Sequence, residues 1–228
     1  MSPSPDRPGA GRWVPDGAER TDVDALAQAA HACRGCELWH DATQVVFSAG
    51  PSDADLALVG EQPGDREDRE GEPFVGPAGR VLADALEAAG VDARTVYLTN
   101  AVKHFRHTEL PERGKRRLHK TPAVAHVRAC LPWLEAELAA VRPRVVVALG
   151  STAARAVLGA PARVGELRGR ALPPPDGAPV GAVPDVEAVV VTTHPSALLR
   201  LRDRSGWDEA FDALVADLAT AARAAHAA

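Results

Sequence analysis

Cysteine is scarce in this 228-residue chain, which has three, Cys33, Cys36 and Cys130. Three thiols cannot form a disulfide framework without leaving one over, so metal ligation, redox exchange or plain thiols remain. Long hydrophobic runs are also missing, none approaching the roughly 18 residues that a membrane-spanning helix requires. The first twenty residues, rich in Pro, Gly, Asp and Arg, have neither the apolar stretch of a signal peptide nor helical periodicity. They read as a flexible leader (residues 1–20) before a single domain (residues 21–228), and a cytoplasmic location is expected. No internal repeat is present. Surplus positive charge is absent too: a formal net charge of −5 argues against indiscriminate coating of nucleic acid, while leaving room for a local basic patch. Hydrophobic residues at 46% and charged residues at 25% are an ordinary soluble balance, and the length is sufficient for one sizeable core.

Short, β-branched, mostly apolar runs stand at Leu56 to Gly60, Val96 to Asn100, Arg144 to Leu149 and Val186 to Thr193. Runs apolar on both faces suit strands covered by helices on both sides. Helical stretches are expected at Asp22 to His31, Gly79 to Gly90, Pro122 to Val141, Ser151 to Leu158 and Trp207 to Ala225, and the Pro-rich Leu172 to Pro184 reads as a surface loop. This alternation predicts an α/β fold, a three-layer αβα sandwich around a central four-stranded, largely parallel sheet.

In such a sheet ligands bind beyond the carboxyl ends of the strands. Polar residues follow those ends: Glu61, Gln62 and Asp65 after the first, Asn100 closing the second, His194 and Ser196 after the fourth. Each alone has a structural explanation, since Asn100 suits a turn, His194 a helix start before Pro195 and Asp65 a helix cap. Their common edge makes them a candidate site. Two further features stand apart. Cys33 and Cys36 form a C-x-x-C pair, compatible with metal binding, a thioredoxin-like pair or two unrelated thiols. The stretch Arg106 to Lys120, RHTELPERGKRRLHK, is too long and polar for an ordinary connection. Its Arg113, Lys115, Arg116, Arg117 and Lys120 suit either a solvated charge run or a clamp on DNA phosphates.

Five motifs, GEQPGD at Gly60 to Asp65, EPFVGPAG at Glu72 to Gly79, TNAVKHF at Thr99 to Phe105, KRRLH at Lys115 to His119 and HPSALLR at His194 to Arg200, together resemble the X-type branch (UdgX) of the iron-sulfur uracil-DNA glycosylases. The resemblance runs in order from about Asp22 to the C-terminus. It implies a monomeric enzyme acting on uracil in single-stranded DNA or flipped from a duplex, with no membrane partner. It also implies a 4Fe-4S cluster ligated by Cys33, Cys36, His104 and Cys130, imidazole replacing one thiolate as in Rieske centres. A structural zinc site of Cys₃His type is the rival.

The same resemblance assigns roles. Phe74, in the glycine-flanked EPFVG segment, stacks on the flipped base, Gly60 and Gly64 of the first motif also bind substrate, and Asn100 reads the uracil edge through its two-sided amide. His194 stabilises negative charge on uracil O2. His119 attacks C1′ of the sugar and joins protein to DNA, with Glu61 orienting or deprotonating it. Gln62 and Asp65 complete the pocket by contacting uracil or positioning water. Lys115, Arg116 and Arg117 serve the DNA contact, Arg117 also bracing the loop, while Ser196 and Arg200 hold phosphates. Leu118 departs from the isoleucine of the family motif, a volume-conserving change. A conventional turnover glycosylase and a non-catalytic iron-sulfur DNA sensor are the alternatives.

Overall fold

The computed structural model describes residues 8–110, 116–201 and 205–227. At its centre are four parallel strands, β2 (Leu56–Gly60), β3 (Val96–Asn100), β6 (Val145–Leu149) and β8 (Ala188–Thr192), coinciding with the four apolar runs. Two edge strands, β1 (Ser48–Ala49) and β7 (Ala171–Leu172), pair antiparallel with β3 and β8, so the sheet has six strands rather than four, in the order β1-β3-β2-β6-β8-β7. Two-residue edges carry too few side chains to show alternation, which is why they escape sequence reading. The two central pairings on either side of β6 and the β2–β3 pairing are all parallel.

Successive residues of each strand feed opposite layers. Ala57, Val59, Tyr97, Val146, Ala148, Val189 and Val191 pack on one side with Cys130, Trp133, Leu134 and Leu138 of α5 (Val124–Val141) and with Ala153 and Val157 of α6 (Gly150–Leu158). Leu58, Val96, Val145, Val147 and Val190 pack on the other with Val81, Leu82, Ala85 and Leu86 of α4 (Pro77–Ala88) and Leu214, Leu218 and Ala221 of α9 (Trp207–His226). Among the described residues no helix is long and apolar enough to cross a membrane.

Register brings the strand ends into line. Gly60 lies opposite Asn100, Val59 opposite Ala148, and Leu149 opposite Thr192. The residues that follow therefore emerge along one edge. Behind that edge a buried ion pair between Lys103 and Glu137 of α5 fixes the segment after β3, and the carboxylate also accepts from Tyr97 Oη at 2.9 Å and Thr99 Oγ1 at 2.8 Å. With each charge paired and hydrogen-bonded, its burial is tolerable.

Three sequence expectations are corrected. The leader is not free over its whole length: Ala10 and Val14 are buried, Gly9 N donates to Gly35 O and Ala10 N to Ala129 O, and a 3-10 turn spans Gly17–Thr21. Two apolar residues amid Pro and Gly are too sparse to announce this packing, and residues 1–7 lie outside the described residues. The Pro-rich loop buries Ala178, Val180 and Val183 around a 3-10 turn at Val180–Ala182. The basic stretch forms a two-stranded antiparallel hairpin, β4 (His107–Leu110) with β5 (Arg116–His119), His107 facing His119. Arg113 and Lys115 lie outside the described residues.

Candidate active site

Beyond the aligned strand ends opens a cleft of about 890 Å³ lined by, among others, Glu61, Phe74, Asn100, His119, His194 and Arg200. Gln62, Gly64, Asp65 and Ser196 also border it. The polar residues of three separate chain segments and the hairpin histidine thus share one cavity.

Asn100 and Phe74 line it, and Gly60 lies against both. A Cβ on Gly60 would collide with the Asn100 amide and come within 2.7 Å of Phe74 Cζ, so the strand must end in glycine for both side chains to approach. Phe74 holds a left-handed backbone (φ 59°), a conformation costing of order 1–3 kcal/mol for a side chain of this size. Its carbonyl is seated against Gly79, where any Cβ would clash. The segment carrying Phe74 is tied to the first loop by Glu67, the third residue of α3 (Asp65–Glu70). Its carboxylate accepts from Gly64 N at 3.1 Å and Gly76 N at 2.8 Å. Glu67 was missed by sequence reasoning. Its signal was a glutamate three residues after a helix cap, the spacing of a capping box.

His194 caps α8 (Pro195–Leu199): its Nδ1 accepts from Ser196 N at 3.1 Å and lies 2.8 Å from Ser196 Oγ. Burial, reinforced by the nearby His119 and Arg200, lowers its pKa to about 4, so the ring is neutral. With Nδ1 accepting, the single ring proton sits on Nε2. The Phe74 and His194 rings are roughly parallel, 28° apart in plane with centroids 6.4 Å apart.

His119, at the end of β5, places Nε2 3.6 Å from Glu61 Oε1. Burial and the Arg200 charge push its pKa down while the Glu61 carboxylate opposes them, leaving it below the ordinary histidine value. The other Glu61 oxygen accepts from Thr152 Oγ1.

The hairpin bearing His119 is held at two points. At its base the Gln62 amide donates to Arg106 O at 3.1 Å and Lys120 O at 3.3 Å, and its Oε1 accepts from Arg106 N at 3.2 Å. In β5, Arg117 pairs with Asp65 and, at 2.6 Å, with fully buried Asp68, while its Nη1 donates to Thr43 Oγ1 and its guanidinium lies over Phe105. These contacts bear on three expected site residues. The polar atoms of Gln62 engage the hairpin, because one amide matches the N–H and C=O groups presented by two strand ends. Asp65 is paired with Arg117 and Arg69. Arg117 is turned inward to two carboxylates and braces the hairpin. Ser196 and Arg200 border the cleft, and Arg200 is exposed.

A second group of side chains lies outside the cleft. Cys33, Cys36 and Cys130 are buried, as is the His104 imidazole. Burial raises the Cys130 thiol most, Lys103 opposes this, and Cys36 and Cys33 are near enough to raise it further. Cys33 Sγ accepts from Trp133 Nε1 and Cys130 Sγ from Lys103 N, both at 3.3 Å. Burial lowers His104 to about 4, leaving a neutral ring able to ligate. Among the described residues no three His, Cys, Asp or Glu side chains converge on a point suited to one metal ion. Three buried thiols and a neutral imidazole are a donor set that suits either an iron-sulfur cluster or a zinc ion.

The sequence profile of the uracil DNA glycosylase superfamily matches residues 47–219, from the approach to β1 into α9. The chain belongs to the uracil-DNA glycosylase superfamily. It is 32% identical over 184 residues to the type-4 uracil-DNA glycosylase of Pyrobaculum aerophilum, which covers 78% of this chain and 85% of that relative. With the type-4 enzyme of Thermotoga maritima it shares 32% over 181 residues, 79% of this chain and 84% of the relative. The type-4 enzyme of Archaeoglobus fulgidus is 35% identical over 133 residues, covering 58% and 62%. The superfamily match spans the whole cleft, from Glu61 to Arg200, including the hairpin.

Proposed function

We propose that the protein excises uracil from DNA and, through His119, becomes joined to C1′ of the sugar it has stripped. Similarity to type-4 uracil-DNA glycosylases supports excision. The observation carrying capture is His119 itself: an imidazole with lowered pKa at the cleft, 3.6 Å from a carboxylate, on a hairpin anchored at both base and middle.

The target nucleotide enters single-stranded or flipped from a duplex. Phe74 stacks on the base, and the Asn100 amide offers one donor and one acceptor to the uracil edge, a pattern cytosine reverses. As the C1′–N1 bond breaks, its electron pair leaves with uracil, and the Nε2–H of His194 is the donor for the charge developing on O2. A preorganised donor of this kind is worth about 3–4 kcal/mol. The sugar left behind is an oxocarbenium-like electrophile. The lone pair of one His119 nitrogen forms the new C–N bond to C1′, the proton on the other nitrogen passes to Glu61, and the uracil anion takes a proton from solvent. Held in place, the imidazole competes at high effective concentration against water. The product has no easy hydrolytic exit, so one molecule processes one uracil.

Arg200 and Ser196 at the cleft, with Lys115 and Arg116 of the KRRLH motif, are the residues for phosphate contact. Cys33, Cys36, His104 and Cys130 would hold a 4Fe-4S cluster, which supplies a tie between the N-terminal segment, α5 and the segment leading to the hairpin.

Incubation with uracil-containing single-stranded DNA, followed by a denaturing gel, tests the reading. A shifted band resisting heat and detergent is expected, and His119→Ser converts the product into free abasic DNA. Free abasic product from the unaltered protein, without a shifted band, refutes capture and leaves a turnover glycosylase.

A further inference from the structure

Glu61 lies on the loop after β2. Its Oε1 is 3.6 Å from His119 Nε2, beyond hydrogen-bond length, so a small rotation decides whether the pair engages. One side chain restrains that rotation. Thr152, 91 residues away in the first turn of α6, donates its hydroxyl to Glu61 Oε2. The donor is itself fixed from below. The turn from β6 into α6 passes through Gly150 at φ +88°, where an added Cβ would lie 3.0 Å from His194 Cβ. The strand-to-helix turn is thereby packed against one histidine while its helix holds the carboxylate that faces the other.

We infer that Thr152 is a positioning residue for the covalent step, holding Glu61 by one oxygen so that the other is presented to His119. This rests on His119 being the nucleophile. The consequence is specific: bond breaking depends on Phe74, Asn100 and His194, none bonded to Thr152, whereas the fate of the stripped sugar depends on how well the Glu61–His119 pair is aligned. Thr152 therefore acts on the partition between adduct and free abasic DNA.

The test compares the unaltered protein with Thr152→Val, which keeps the shape and removes the donor, and Thr152→Ser, which keeps the hydroxyl. Under single turnover on uracil-containing single-stranded DNA, released uracil and crosslinked DNA are measured in the same samples. Thr152→Val is expected to lower the adduct-to-abasic ratio on the order of tenfold, since sub-ångström misplacement is costly in such steps, and Thr152→Ser to restore it. An unchanged ratio in Thr152→Val overturns the inference, even if uracil release slows, because that pattern assigns Thr152 to folding alone. If the unaltered protein releases uracil without any adduct, the His119 reading falls and this inference with it. An adduct formed normally by both proteins removes only Thr152.

Discussion

Replacing Arg117 with Met keeps most of the side-chain volume and removes the charge that joins β5 to α3. Two carboxylates lose Arg117, and they differ. Asp65 keeps Arg69 and is 43% exposed, so water compensates it and its share is small. Asp68 is fully buried, and without the guanidinium it retains, among the described residues, the Thr43 N–H at 3.0 and 3.1 Å. Breaking a buried pair typically costs 3–5 kcal/mol, and the surviving N–H bond brings the expectation to about 2–4 kcal/mol. The loss has a ceiling, because the hairpin can detach locally once detachment costs less than leaving Asp68 unpaired. Urea unfolding gives the global figure, and amide exchange of residues 116–119 locates the opening. Capture should fall with the opening, since His119 departs with β5. The double variant Arg117→Met with Asp68→Asn removes the stranded charge, keeps an acceptor for Thr43, and should recover much of the stability. A loss below about 1 kcal/mol in the single variant, or a double variant no more stable than it, refutes the brace.

Other expectations follow from the same geometry. Gly60→Ala pushes a methyl into the Asn100 amide and Phe74 ring; uracil release should fall at least tenfold with little change in melting temperature, and normal release discards the proposed roles of Asn100 and Phe74. The lowered pKa of His119 places the acid limb of adduct formation below the ordinary 6.5, so a half-maximal loss at or above pH 6.5 contradicts a neutral nucleophile. His194 binds its proton more weakly when folded, near 4 against 6.5 unfolded. The unfolded chain then holds more protons between those values, and stability should drop as pH falls through that window, by up to roughly 3 kcal/mol; a flat profile there contradicts its burial. Elemental analysis of the purified protein should find iron rather than zinc, with broad absorbance near 400 nm lost in Cys130→Ser; stoichiometric zinc contradicts the cluster.

The parallel strands were legible because each is a short, mostly apolar run bounded by a turn, and aligned strand ends make Glu61, Asn100 and His194 neighbours. The hairpin was not: HTEL and RRLH mix charge with single apolar residues, and they are held from outside by Gln62, Asp65 and Asp68. For the same reason the contacts of Gln62 went unread, since partners 44 and 58 residues away leave no local signal. Glu67 and Thr152 act over distances of 9 and 91 residues through single hydrogen bonds, which leave no periodicity to detect.

The most direct measurement is mass spectrometry of the protease-digested product of the protein with uracil-containing DNA. The account predicts one modified peptide, carrying deoxyribose on an imidazole nitrogen of His119. Attachment at any other side chain, or complete release of uracil with every peptide unmodified, contradicts it.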